Sequence, residues 1–179
     1  MEILLYGTTE IGYLLASQLH QQHNVTILTD SKKLDEKFNN LDVIIAEGDG
    51  GDIAVLKKIE AAKAGLFIAC STLDEANIVA CWTIKKIADT ETICFIRKPS
   101  LYQNFSSSTH LHYQTRYDID SIIWPERLLT QDIFRIISVP DALDVEFFAG
   151  GKAKLFEYRI KETSTIVDLA LADGRFKTL

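Results

Sequence analysis

Short apolar runs alternate along this chain with stretches whose apolar residues recur every three or four positions. Glu2–Tyr6 is a continuous apolar run of strand length, and Gly7 breaks it. Ile11, Leu14, Leu15 and Leu19 then repeat at helical spacing, which predicts a helix straight after a tight turn. The alternation continues. Asn24–Thr29, Asp42–Ala46, Gly65–Cys70, Thr92–Arg97 and Asp120–Trp124 predict five further strands. Lys32–Phe38, Ile53–Lys63 and Asp74–Ala88 predict the helices between them. Asp52 stands where an N-cap is wanted, and Thr72-x-x-Glu75 has the spacing of a capping box. Most strand runs are unbroken rather than alternating, as parallel strands covered on both faces require. The expected class is therefore α/β, a doubly wound parallel sheet.

From Lys98 to Tyr117 the pattern weakens. Pro99 ends the fifth strand run, and Ser106-Ser107-Ser108-Thr109 reads as a polar turn or loop. Pro125 suits the first position of a helix that runs to about Ser138 and stops before Pro140. Its Leu128, Leu129, Ile133, Phe134, Ile136 and Ile137 cover more than one face. Such a helix must be buried twice, by a dimer partner or by a larger core. After Pro140, Leu143–Ala149 and Lys152–Ile160 are strand-like runs joined through Gly150-Gly151, a hairpin signal. Thr163–Ala172 reads as a short capped helix, Asp173-Gly174 as a turn, and Arg175–Leu179 as the start of a strand. The expected division is 1–139, a nucleotide-binding domain that includes the apolar helix, and 140–179, the truncated start of a small α+β domain.

Composition narrows the classes. The chain has 179 residues, 47% hydrophobic and 25% charged, with a net charge of −6. That is an ordinary globular composition, and the negative balance argues against a nucleic-acid surface. No apolar run approaches the roughly 20 residues of a spanning helix, and no signal segment precedes the first strand. The expected location is the cytoplasm. Cys70, Cys81 and Cys94 lack metal-ligand spacing and read as buried, reduced core residues. His110 and His112 lack a third ligand and read as loop histidines.

In an open parallel sheet, ligands bind beyond the carboxyl ends of the strands. Gly7-Thr8-Thr9-Glu10-Ile11-Gly12 follows the first strand there. It keeps the first and third glycines of G-x-G-x-x-G, and Thr9 replaces the middle one, through which the backbone approaches a pyrophosphate. A structural turn without ligand is the alternative reading. Thr29-Asp30 ends the second strand; Asp30 is placed either for ribose hydroxyls or as a turn residue. Gly48-Asp49-Gly50 follows the third and either wraps an adenine or turns the chain. Ser71 and Thr72 follow the fourth, as ribose or phosphate donors or as caps. Arg97 ends the fifth, to meet a phosphate or to pair with a carboxylate. No catalytic constellation is present, and no substrate domain fits in the remainder. Binding without chemistry is expected over an NAD-dependent oxidoreductase fragment.

With these residues in view, the chain resembles the Trk-type potassium-uptake regulatory proteins. Their nucleotide-binding RCK N-terminal (KTN, TrkA-N) domain is followed by a TrkA-C domain. The resemblance rests on GTTEIG at 7–12, VTILTD at 25–30, GDGGDIAVL at 48–56, STLDEAN at 71–77, FIRKP at 95–99 and WPERLLTQDIFRII at 124–137. It implies a Rossmann-like domain that dimerises and joins rings beneath a potassium transporter or channel. There NAD(H), or ATP or ADP as in some relatives, shifts the ring and so the gate. The helix after Pro125 is similar to the family's dimer-bridging helix. Two residues depart from the pattern. Thr9 replaces a glycine, and the ribose-binding acid falls on Thr29, with Asp30 one position late. Both weaken a dinucleotide site, so a different nucleotide, or none, is the alternative the resemblance leaves open.

Overall fold

A computed structural model describes residues 1–30, 36–106, 117–138, 142–148, 153–164 and 167. They form two compact units, Met1–Glu126 and Arg127–Leu179. The first holds a six-stranded parallel sheet of β1 (Glu2–Tyr6), β2 (Asn24–Thr29), β3 (Ile44–Glu47), β4 (Leu66–Ala69), β5 (Glu91–Phe95) and β6 (Ser121–Ile123). The strand order is β3-β2-β1-β4-β5-β6, so the winding reverses between β1 and β4. This is the doubly wound, Rossmann-like sheet that the unbroken apolar runs predict.

The central strands are buried on both sides. Ile3 and Leu5 pack with Ala16, Ile27 and Phe38 beneath α1 (Glu10–Leu19). Leu4 and Tyr6 pack on the opposite face with Leu56, Ala80 and Ile84. Those residues come from α2 (Ile53–Lys58) and α3 (Asp74–Lys85). Register lines up one apolar row across the sheet: Leu5 pairs with Ile27 on one side and Ile68 on the other. β3 lies at the sheet edge, and Ile44 and Ile45 there are exposed at 66% and 41%. Cys70, Cys81 and Cys94 are free and buried, as expected.

Several boundaries differ from the sequence pattern. The expected helix Ile53–Lys63 is broken. α2 stops at Lys58, Glu60 takes a left-handed φ of 55°, and a 3-10 turn covers Ala61–Lys63. After the break Ala61 and Ala64 are buried in the core. α3 ends at Lys85 rather than Ala88. The stretch read as patternless contains α4 (Pro99–Ser106). Pro99, read as a strand stop, is also a helix first residue. Leu101, Tyr102 and Phe105 then fasten the helix to the core. Of the expected helix Lys32–Phe38, residues 32–35 lie outside the described residues; a 3-10 helix covers Glu36–Asn40. His110, His112, Gly150-Gly151 and Thr163–Leu179, apart from residues 163, 164 and 167, also lie outside them.

α5 (Pro125–Ser138) carries the chain from the first unit into the second. The second unit contains an antiparallel hairpin of β7 (Ala142–Phe148) and β8 (Ala153–Tyr158), as the Gly-Gly signal predicts.

The last strand of the sheet is fastened by side chains. Asp120 Oδ2 accepts from Thr92 N at 2.8 Å and Thr92 Oγ1 at 2.9 Å. The same oxygen meets Lys85 Nζ at 2.8 Å. Burial alone would raise the Asp120 carboxyl, but Lys85 and the two Thr92 donors outweigh it and hold it below the usual carboxylate range. The folded value therefore lies under the unfolded one of about 3.9. The contribution is complete above about pH 4 and disappears as pH falls through the folded value. Asp120→Asn should cost under about 1 kcal/mol at pH 7, allowing for solvent at a side chain 41% exposed. Urea unfolding of both proteins from pH 7 to pH 2 checks this: the two curves should converge at the acid end.

Candidate functional site

The turn after β1 is built on contact. Gly7 has φ +112°, and a Cβ there would lie 2.5 Å from both the N and the Cα of Ser71. Only glycine fits that backbone and that approach. At Gly12 a Cβ would stand 2.7 Å from the Gly7 carbonyl oxygen. The two glycines of the motif thus seat α1 against the end of its own strand.

Thr9 is not an intrusion into this turn. It is the N-cap of α1, with extended backbone, and its Oγ1 accepts from Gly12 N at 3.3 Å. The same hydroxyl donates to the Cys70 carbonyl at 2.8 Å, just beyond β4. One donor and one acceptor are spent, and the side chain ties the two strand ends on either side of the winding reversal. The backbone N–H groups of Thr8, Thr9, Glu10 and Ile11 have no partner among the described residues. Such groups at a helix start suit an anion. Glu10 pairs with Lys37 on the outer side.

At the end of β2 the structure buries Thr29 and exposes Asp30. The Asp49 Oδ1 accepts from Gly51 N at 2.8 Å and from the Tyr6 hydroxyl at 3.4 Å. Tyr6, which the sequence pattern placed only in the core, therefore ends in polar company. Its hydroxyl is pushed up to about 12, first by burial and then by the charges of Asp49 and Asp30. Gly48 N donates to Thr29 O, and Gly50 lies on the Tyr6 ring, so this glycine loop is held across the β2 and β3 ends.

The β4 side is arranged differently. Ser71 N and Ser71 Oγ both donate to Asn77 Oδ1, at 2.8 and 2.7 Å. Asn77 Nδ2 donates to Ser71 O at 3.2 Å and Phe95 O at 2.9 Å. Asp74 accepts from Arg97 N with both oxygens, at 3.0 Å each, and from Lys98 N at 2.7 Å. Both side chains are buried. The D-E-x-N run thus fastens α3 to the ends of β4 and β5. The expected capping box does not form. Leu73 is the N-cap without a side-chain bond, Thr72 is exposed, and Glu75 pairs with Lys98. Its signal was the buried acid and amide three residues apart at the start of an amphipathic helix. No ion pair of the Arg97 guanidinium is found among the described residues. Burial pushes the Cys70 thiol up to about 12, while the Thr9 hydroxyl and the Arg97 charge pull the other way. Among the described residues no group of acids, histidines or cysteines could hold a metal, and no helix is long and apolar enough to cross a membrane.

A doubly wound sheet with a glycine turn at its reversal point defines a Rossmann-type domain. The TrkA-N domain model matches residues 3–123, and the chain belongs to that family. It is 32% identical over 97% of its length to a Trk system potassium uptake protein trkA homolog 1 from Methanosarcina mazei, covering 44% of it. It is 30% identical over 98% of its length to Trk system potassium uptake protein TrkA from Haemophilus influenzae, covering 38%. The chain thus spans less than half the length of these relatives. In solved structures, the TrkA-N domain of inner membrane protein ybaL from Escherichia coli gives a TM-score of 0.61 at 14% identity, over 76% of this chain and 96% of that one. A GsuK channel bound to NAD gives 0.60 at 18% identity, over 82% and 25%. GsuK bound to ADP gives 0.59 at 20% identity, over 79% and 35%. These likenesses are in fold.

Asn77→Ala would leave Ser71 N, Ser71 O and Phe95 O without their side-chain partner. Buried groups so orphaned cost about 1–3 kcal/mol each at most and less as a set, so a loss of about 3 kcal/mol is expected. Chemical denaturation checks it, and a loss under about 0.5 kcal/mol would mean that water replaces the amide.

Proposed function

We propose that this chain is the nucleotide-sensing part of a regulatory subunit of a potassium transporter or channel. It acts at the cytoplasmic face of the membrane through that partner. The observation that carries the reading is the row of N–H groups from Thr8 to Ile11, unpaired among the described residues, at the reversal point of the sheet, in a chain of the TrkA-N family. A phosphate fits those donors, and Arg97, just beyond β5, offers a cation. Asp30 and Asp49 offer carboxylate oxygens at the β2 and β3 ends, where ribose hydroxyls are held in such folds. Gly7, Gly12 and Gly48 shape this mouth. Ser71 and Thr72 line its β4 edge.

The site binds without turnover. The thiol beside the turn is held protonated by burial, and Tyr6 is held protonated well past neutrality. Neither is ionised at pH 7, so neither serves as a base. Nucleotide acts instead by preferring one of two arrangements of a homo-oligomer, and the partner reads the difference. NAD(H), ATP and ADP are the candidate ligands. α5 supports the oligomer: Phe134, Ile136 and Ile137 are each about two-thirds exposed, at 66%, 66% and 68%. Apolar exposure of that kind marks a surface that another chain covers.

Thermal melting with millimolar NAD+, NADH, ATP, ADP and cyclic di-AMP tests the ligand reading. At about a hundred times its Kd, a ligand adds about 2.7 kcal/mol and raises the melting temperature by several degrees. Arg97→Ala should weaken that ligand about tenfold, as loss of a charged phosphate contact does. No shift with any of the five would leave an assembly module in place of a sensor. For the interface, Ile133→Asp is expected to reduce the particle mass in light scattering; an unchanged mass removes α5 from the interface.

A further inference from the structure

Within its sheet, β3 has a neighbour on one side only, β2. Gly48 N–H turns inward to Thr29 O. Alternation along the strand then directs the N–H groups of Ile45 and Glu47 to the open side. Backbone groups left in that way accept a further strand. The side chains over the same stretch have a symmetric order: Asp42, Val43, Ile44, Ile45, Ala46, Glu47. The two acids and the two isoleucines are all exposed.

Both faces of this edge end in an uncovered apolar side chain. The row Leu4–Thr26–Ile44 crosses one face and the row Leu5–Ile27–Ile45 the other, and each stops at the rim. Beside Ile44, past the end of α2, lies a cavity of about 260 Å³. Leu4, Thr26 and Ile59 line it, and Glu2, Glu60 and Lys63 supply its charges. Lys63 is paired with Glu60 at 2.5 Å, so the balance left to the cavity is negative. An added strand would extend both rows. One of its side chains would cover Ile44 at the cavity, and the next would cover Ile45 on the opposite face.

Charge decides between occupants. A second copy laid antiparallel, Ile44 against Ile45, brings Asp42 of each chain towards Glu47 of the other. Like charges set opposite each other are destabilising. A strand with bases at those two places has the opposite effect. We propose that the open edge of β3 docks an extended segment of a partner protein, with two adjacent apolar residues between two basic ones in the order base, any residue, apolar, apolar, any residue, base. The hydrogen bonds come from the backbone, and the selection comes from the cavity and the two acids, as in other strand-addition sites. The cavity lies at the amino ends of the strands, on the other side of the sheet's length from the glycine turn, and the docking needs no nucleotide.

The probe is a capped synthetic peptide, lysine-threonine-valine-valine-threonine-lysine, titrated into the purified chain at low salt and followed by amide NMR. The Ile45 and Glu47 amide signals should shift. A peptide with glutamate in place of both lysines should bind about tenfold or more weakly. Exchanging the protein's charges, Asp42→Lys with Glu47→Lys, should reverse that order, which a loss of fold cannot do. Ile45→Pro removes one open-side donor, a change that edge strands tolerate, and should weaken the lysine peptide about tenfold. If Ile45→Pro fails to fold, the charge exchange decides alone. The inference is overturned if the lysine peptide does not bind at millimolar concentration, or if the two peptides bind alike. It is also overturned if Ile44→Lys lowers the particle mass in light scattering, because the edge then belongs to a second copy.

Discussion

Two buried polar side chains hold the carboxyl ends of β4 and β5 in place. Where parallel strands stop, their last backbone groups have no ladder to continue, and burial makes that costly. Asp74 and Asn77 resolve this from the first turn of α3. One carboxylate collects the N–H groups of Arg97 and Lys98, and one amide links Ser71 to Phe95. Because Gly7 rests on Ser71, the glycine turn inherits its position from these bonds. The start of α1 is thus fixed from a helix more than sixty residues further along the chain.

The halves of the sheet share a backbone plan but differ in electrostatics. Around β1–β3, Tyr6, Asp49 and Asp30 gather acidic oxygens near a buried phenol, and the strain appears as a hydroxyl pushed up to about 12. Around β4–β6, Lys85, Thr92 and Asp120 neutralise one another.

The interior of the fold was readable because its strands are covered on both faces, so apolar runs such as Ile3–Tyr6 stand out in sequence. Edges were less readable. β3 begins at Ile44 rather than Asp42, and β6 is only three residues long. The break at Glu60 has no glycine or proline to announce it; it answers to the packing of Ala61 and Ala64. α4 was hidden because Pro99 signals both a strand end and a helix start. At the site, the positions of the glycines and of Arg97 were legible from spacing. The meaning of Thr9 was not. In sequence it is a missing glycine, and its role depends on a carbonyl sixty-one residues away. Thr72 shows the converse: a local spacing that fits a cap loses to a tertiary bond, as Glu75 reaches Lys98 instead.

The open side of β3 carries a different consequence. Ile44 and Ile45 sit at an unpaired strand edge, and Asp42-Val43-Ile44-Ile45-Ala46-Glu47 contains no lysine or proline to blunt it. A strand of that kind is a template for another strand. At that rim a further extended strand would add on without disturbing the packed core.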